Sequence, residues 1–197
     1  MQQRGHGVVG GLLSLGALAV ACLLWAPRDM VTIDGVSVKN RPGKEAVARL
    51  LSALKQRLSA FLDAADRVVP GDPRIRRIRE RWSGTLAELV RETGDRSLAF
   101  SLNKSAIYLC VRAPDGSLPD PNAAMFVLLH EAAHVACVSH GHTPEFWETM
   151  KYLMELAHAL GVYTYVDHGA TPTTLCGHVL GASPLTCVQE KTCSSSL

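Results

Sequence analysis

The chain has 197 residues, of which 47% are hydrophobic and 19% charged, with a formal net charge of +2. That apolar content permits a sizeable core, and the length suits one domain plus an appendage. The charge is too small to imply a nucleic-acid partner by itself, and there is no internal repeat; low complexity is confined to Ser194-Ser195-Ser196.

Residues 1–7 are a short flank. Val8 to Ala26 (VVGGLLSLGALAVACLLWA) carries no charge over 19 residues, enough to span a hydrocarbon core, with Trp25 near an interface. It reads as a single-pass membrane anchor. The rival reading is a cleaved signal peptide, with Ala19 and Ala21 as an A-x-A site or Cys22 as a lipoprotein-type site, which would release the domain as a secreted protein. Arg4 on one side and Arg28, Lys39 and Arg41 on the other leave the orientation open.

Residues 27–96 read as an N-terminal, mainly helical part. Val31 to Val38 forms two short strands around Asp34-Gly35, a hairpin turn signal. Apolar residues Val47, Leu50, Leu51, Leu54, Leu58, Phe61 and Leu62 recur at helical spacing and predict an amphipathic helix over 43–69. Pro70-Gly71-Asp72-Pro73 breaks it. A further helix is expected from Arg74 to Glu92, with Ile75, Ile78, Trp82, Leu86, Leu89 and Val90 on its apolar positions.

Residues 97–166 read as the core of the domain. Ser97 to Leu102 and Ala106 to Arg112 predict an antiparallel hairpin turning at Asn103-Lys104, and 113–119 a loop. The run Pro121 to Ser139 (PNAAMFVLLHEAAHVACVS) is apolar on nearly all sides and predicts a buried helix, with Asp120 as N-cap, Pro121 at N1 and Gly141 beyond its end. Thr143-Pro144-Glu145 opens another helix, running to Leu160 and stopped by Gly161. Val162 to Val166 is strand-like. Residues 167–197 form a Cys-containing tail expected to be irregular.

Inside the buried helix lies His130-Glu131-Ala132-Ala133-His134, an HExxH pentapeptide. Burying two histidines and a glutamate is costly unless they are paired or bound. A divalent ion removes that cost. Residues i and i+4 lie on one helix face with Cβ atoms roughly 6 Å apart. His130 and His134 can therefore aim ring nitrogens at one ion, and Zn2+ favours such ligands. Glu131, about 100° around the helix, is set to act as a general base on water beside the ion. A catalytic zinc needs a third protein ligand. His142, between the two helices and after the flexible Gly141, is the candidate.

HExxH followed by Gly141-His142-Thr143-Pro144-Glu145-Phe146-Trp147 resembles the WLM and SprT/Spartan-type zincin metallopeptidases, over roughly Ser97 to Tyr165. The resemblance implies an α+β, zincin-like minimal metallopeptidase with its active-site helix packed on a small antiparallel sheet. It implies Zn2+ held by His130, His134 and His142, with Glu131 as catalytic acid/base; another zincin branch takes its third ligand from a glutamate on the next helix, which makes Glu155 the alternative to His142. It also implies that the strand Ala106 to Arg112 borders a cleft where a protein or peptide substrate adds in extended form. With the anchor, the expected activity is that of a membrane-anchored zinc endopeptidase. Two alternatives stand beside it: a catalytically inactive, zinc-stabilised interaction module, and a protease acting on protein crosslinked to DNA, as is associated with WLM and Spartan relatives. The N-terminal anchor and near-neutral charge argue against the latter.

Other candidates carry weaker signals. Arg74, Arg76, Arg77, Arg79 and Arg81 make a basic cluster, read either as a phosphate or anionic-lipid contact or as a solvated helix face. His140, His158, His168 and His178 are lone histidines, more often surface or core residues than ligands. Tyr163 and Tyr165 are possible oxyanion donors or ordinary packing residues. The six cysteines form no CxxC pair, so a zinc ribbon is not indicated. In an oxidising compartment Cys176 is expected to pair with Cys187 or Cys193, leaving one domain cysteine free; Cys137 reads as a small buried hydrophobe.

Overall fold

The structure is a computed structural model, and it describes residues 29–91 and 97–181. Contacts divide the chain into two units, Met1–Met30 and Val31–Leu197, and the second carries the features below. The apolar segment 8–26 lies outside the described residues. Among the described residues no helix is long and apolar enough to cross a membrane.

The chain begins with a hairpin, β1 (Met30–Ile33) and β2 (Val36–Lys39). Asp34 and Gly35 both have positive φ, 49° and 72°, as the tight two-residue turn between twisted strands demands. Helix α1 (Lys44–Val68) follows and buries Val47, Leu51, Leu54, Leu58, Phe61 and Leu62 on one face. Asp72 then caps α2 (Pro73–Arg81) by accepting from the backbone N–H groups of Arg74 and Ile75.

Here the structure departs from the expected helix. α2 stops at Arg81, and residues Thr85–Glu88 form strand β3. Its apolar run is compatible with either period, because a strand covered on both faces has no alternation to display. Leu86, Ala87 and Glu88 are all buried.

β4 (Ala99–Leu102) and β5 (Ala106–Leu109) form the predicted antiparallel hairpin, in register Ala99 to Leu109 and Leu102 to Ala106, with Asn103 and Lys104 at positive φ. The sheet as a whole is mixed rather than antiparallel. Its order is β1-β2-β3-β5-β4, and β3 runs parallel to both β2 and β5. Strands from either side of position 96 therefore share one sheet. The parallel pairings follow from inserting β3 between the two hairpins after a helical excursion.

Helix α3 (Pro121–Ala136) is the centre of the fold. Thirteen of its 16 residues are buried. α1, α2, β4, β5 and the helix after it, α4 (Pro144–Ala159), all pack on α3. This surround is why its sequence is apolar on every side. The helix ends earlier than the apolar run: Cys137 is already extended, with ψ 150°. Val162 to Val166 forms no strand; it is an irregular connection following Gly161.

The expected irregular tail contains a second, two-stranded sheet, β6 (Thr173–Leu175) and β7 (His178–Leu180), with β6 against α3. Cys176, in its turn, is bonded to Cys110 just after β5. This corrects the expected pairing of Cys176 with Cys187 or Cys193, which lie outside the described residues. The turn of this hairpin lies against the residue that follows β5, so the two sulfurs meet across 66 residues of sequence, a proximity that Cys spacing does not encode. Cys137 is a free, buried thiol.

Candidate metal centre and substrate cleft

Asp120 accepts from the N–H groups of Asn122 and Ala123 and fixes the start of α3. The helix then carries His130 and His134 on one face, one turn apart. Thr143 caps α4 by accepting from Phe146 N–H, and Gly141, at φ 76°, lets the intervening chain turn back toward α3. His142 is carried in that turn.

The three rings converge. His130 Nε2 lies 3.2 Å from His134 Nε2 and 3.1 Å from His142 Nε2. Among the described residues these three form the cluster able to hold a metal ion. Three nitrogens bound tetrahedrally to one zinc, each at about 2.0–2.1 Å, stand roughly 3.3 Å apart. The observed separations fit that edge, so the donor set suits Zn2+. Phe146 supports the set from below: its ring stacks on His134 at 4.2 Å and meets His130 and His142 edge-on. Trp147 stacks on His142. Glu155, the alternative ligand, is exposed on α4 beside Lys151 and does not join the cluster.

Burial favours the neutral form of these imidazoles. It pushes His130 well below the usual histidine range, with the charges of His134 and His142 acting the same way. Burial lowers His134 to about 4, assisted by His142 and Lys104. His142 is also lowered by burial. A neutral ring offers its lone pair, as a metal ligand must.

Glu131 is 4% exposed, and its Oε2 has no hydrogen-bond partner. Burial pushes it up to about 8, against a hydrogen bond with the Ser101 side chain that pulls it down. A buried, unpartnered carboxyl oxygen beside three converging imidazoles is where a cation's field would offset the cost of burial.

A cleft of about 920 Å³ opens over these residues. Its floor is α3, through Phe126, Val127, His130, Glu131 and His134, and one wall is the 139–142 turn. The strand along it is β4, not β5 as expected: Leu98 to Ser101 line the cleft. β5 lies between β3 and β4, so both its edges are already hydrogen-bonded, whereas β4 ends the described sheet.

The turn that carries His142 is gripped from both sides. Glu145 accepts from Val138 N–H (2.8 Å) and Ser139 N–H (2.9 Å). Lys104 Nζ donates to the carbonyls of Cys137, Val138 and Ser139, at 2.6, 3.1 and 2.9 Å. The sequence gives no warning of Lys104, because its partners lie 33–35 residues away.

The basic cluster has a structural role that neither expectation described. Arg81 donates to the carbonyls of Val135 and Cys137, and Arg77 to that of Ala136, so both cap the C-terminus of α3. Arg74 pairs with Asp72 and lies over the Tyr152 ring; Arg79 pairs with Asp63. Arg76 is left exposed beside Glu80.

Tyr163 is a core residue packed near Phe126, and burial raises it to about 12; neither it nor Tyr165 lines the cleft. His158 is bound to the 163–165 backbone, and His168 is buried edge-on to Phe126. His140 and His178 line the cleft.

No family model matches the chain. It is 28% identical over 155 residues to an uncharacterized protein of Acanthamoeba polyphaga mimivirus, covering 76% of this chain and 79% of that protein. It is 40% identical over 81 residues to an uncharacterized protein of Invertebrate iridescent virus 6, covering 40% of this chain and 44% of that one. Among solved structures it is similar to Wss1 from Saccharomyces cerevisiae, at 18% identity and a TM-score of 0.48, over 63% of this chain and 89% of that chain. A Wss1 mutant from S. pombe is 25% identical with a TM-score of 0.41, over 61% of this chain and 92% of that one.

Proposed function

We propose that this chain is a zinc-dependent endopeptidase of the WLM type, with His130, His134 and His142 as metal ligands and Glu131 as general base. One observation carries the reading. The ring nitrogens of His134 and His142 lie within 3.2 Å of that of His130, next to a buried carboxyl, at the floor of a cleft edged by a strand.

Zinc, when bound, polarises the scissile carbonyl and acidifies water. The chain's residues do the rest. The extended substrate pairs with the β4 edge that ends the described sheet, bringing a peptide bond over α3. Glu131 takes a proton from the attacking water and passes it to the leaving amine, so the carboxyl ends as it began. Phe146 and Trp147 hold the imidazoles in place, and burial in the floor limits competing solvent.

The test is metal analysis of the protein with a casein cleavage assay, comparing wild type, Glu131→Gln and His142→Ala. The reading requires about one zinc per chain and cleavage lost in Glu131→Gln while zinc is kept. A Glu131→Gln protein indistinguishable from wild type would identify a zinc-stabilised interaction module instead.

The same reading takes residues 8–26 as a membrane anchor, so the full chain should sediment with membranes and be released by detergent but not by salt. The Cys110–Cys176 bond supports an oxidising setting for the domain. Against a crosslink protease acting on DNA stands the engagement of Arg74, Arg77 and Arg81 with groups of the protein itself. Strong, steeply salt-dependent DNA binding by the domain would reverse that preference.

A further inference from the structure

The β6–β7 hairpin is fastened beside the cleft at several points. Cys176 in its turn is bonded to Cys110, and Arg91 Nη2 donates to the Cys176 carbonyl at 2.9 Å. Leu175 and Leu180 are buried, while Val179 between them along the hairpin is 61% exposed. β6 packs on α3, the helix that forms the cleft floor. His178 and Val179 thus become part of the cleft lining.

The contact with Arg91 sets which ring nitrogen of His178 accepts. Arg91 Nη1 lies 2.7 Å from His178 Nε2. A guanidinium only donates and is never deprotonated in proteins. Nε2 must therefore be the acceptor, and the ring proton sits on Nδ1. This commits the lone pair of His178 to Arg91, in keeping with its absence from the metal cluster. It leaves Nδ1–H as a donor on a residue that lines the cleft. A peptide in extended form presents unpaired carbonyl oxygens on the side not paired with a strand, and such a donor suits them.

We propose that His178, oriented by Arg91, is a substrate-positioning residue whose Nδ1–H donates to a backbone carbonyl of the bound peptide. This rests on the peptidase reading for the identity of the ligand, but binding can be measured without cleavage. The role differs from that of the three ligands, since His178 touches substrate and not the ion.

The test uses the full chain, zinc-loaded, in a Glu131→Gln background so that no turnover occurs. Binding of a fluorescein-labelled, unstructured casein peptide is followed by anisotropy. His178→Ala should weaken binding about tenfold, the effect of one lost hydrogen bond in a partly desolvated site. His178→Asn, whose amide N–H falls near the place of Nδ1, should recover most of the loss. Arg91→Met, which frees the tautomer, should weaken binding less than His178→Ala. In the background with Glu131 restored, His178→Ala should raise KM more than it lowers kcat. Zinc content and the circular-dichroism spectrum should match the parent in each case. Unchanged peptide affinity in His178→Ala, or His178→Asn as weak as His178→Ala, overturns the proposal, as does an absence of peptide binding by the parent. Peptide that binds but is not cut by the chain with Glu131 restored overturns the peptidase reading and leaves the His178 proposal standing on its binding data.

Discussion

The carboxylate of Glu145 accepts from the backbone N–H of Ser139 at 2.9 Å, and so ties the first turn of α4 to the chain leaving α3. His142 sits between these two points. The third imidazole is therefore fixed by a brace to either side of it.

The brace makes an acid-sensitive prediction. Hydrogen bonds from the Ser139 side chain and from the Val138 and Ser139 backbone hold Glu145 down at about 2, from an ordinary 4.5. A folded-state value below the unfolded one gives stability that is full above about pH 4.5 and is lost as pH falls toward 2. The urea midpoint of wild type should exceed that of Glu145→Gln at pH 6, with the gap closing as pH approaches 2. A gap that stays constant over that window would mean the carboxylate contributes through packing alone.

Lys104 grips the same segment through its carbonyls. Lys104→Met keeps the stem and removes the donors, so three carbonyls lose their shared partner. Zinc affinity should fall roughly tenfold, at the low end of what supporting residues contribute. Competition with a colourimetric chelator reads this directly.

The choice of third ligand is also measurable. His142→Ala should weaken zinc binding by more than about 100-fold, exceeding the loss from a supporting residue. Glu155→Ala should leave it unchanged, because that carboxylate is exposed beside Lys151. Full zinc retention in His142→Ala would remove His142 from the site.

Glu88 offers a prediction about the core rather than the site. It is 2% exposed, accepts from Lys39 N–H, and pairs with Arg112 and Arg41. Glu88→Ala leaves the buried Arg112 charge uncompensated and should lower the unfolding free energy by about 3–5 kcal/mol. Chemical denaturation followed by tryptophan fluorescence measures it.

Opening the Cys110–Cys176 bond, which closes 66 residues of chain, should cost about 4 kcal/mol on the chain-entropy model. Cys176→Ser, or dithiothreitol on wild type, should lower the denaturation midpoint by the same amount. Equal midpoints before and after reduction would show that the bond contributes nothing to stability.

The helices around the histidine cluster were legible because local chemistry writes them. Asp120-Pro121 and Thr143-Pro144 are caps that act within three residues, and the i, i+4 spacing of His130 and His134 is a property of the helix itself. The hairpin turns at Asp34-Gly35 and Asn103-Lys104 are local in the same sense. The strand at Thr85–Glu88 was not, because a doubly covered parallel strand shows no alternation and its partners β2 and β5 are distant in sequence.

By itself, then, the sequence determined the HExxH pentapeptide, the helix that carries His130 and His134, and the helix whose start places His142 just before it. Tertiary structure decided what no local pattern can contain. It brought the ring of His142 beside those of His130 and His134 and left Glu155 outside that cluster, next to Lys151. It assigned the cleft to β4, whose edge ends the described sheet, and not to β5. It paired Cys176 with Cys110 and brought His178 to the cleft through Arg91, 87 residues away. Each of these depends on which surfaces meet when the apolar α3 is buried, and burial is decided by the whole chain at once.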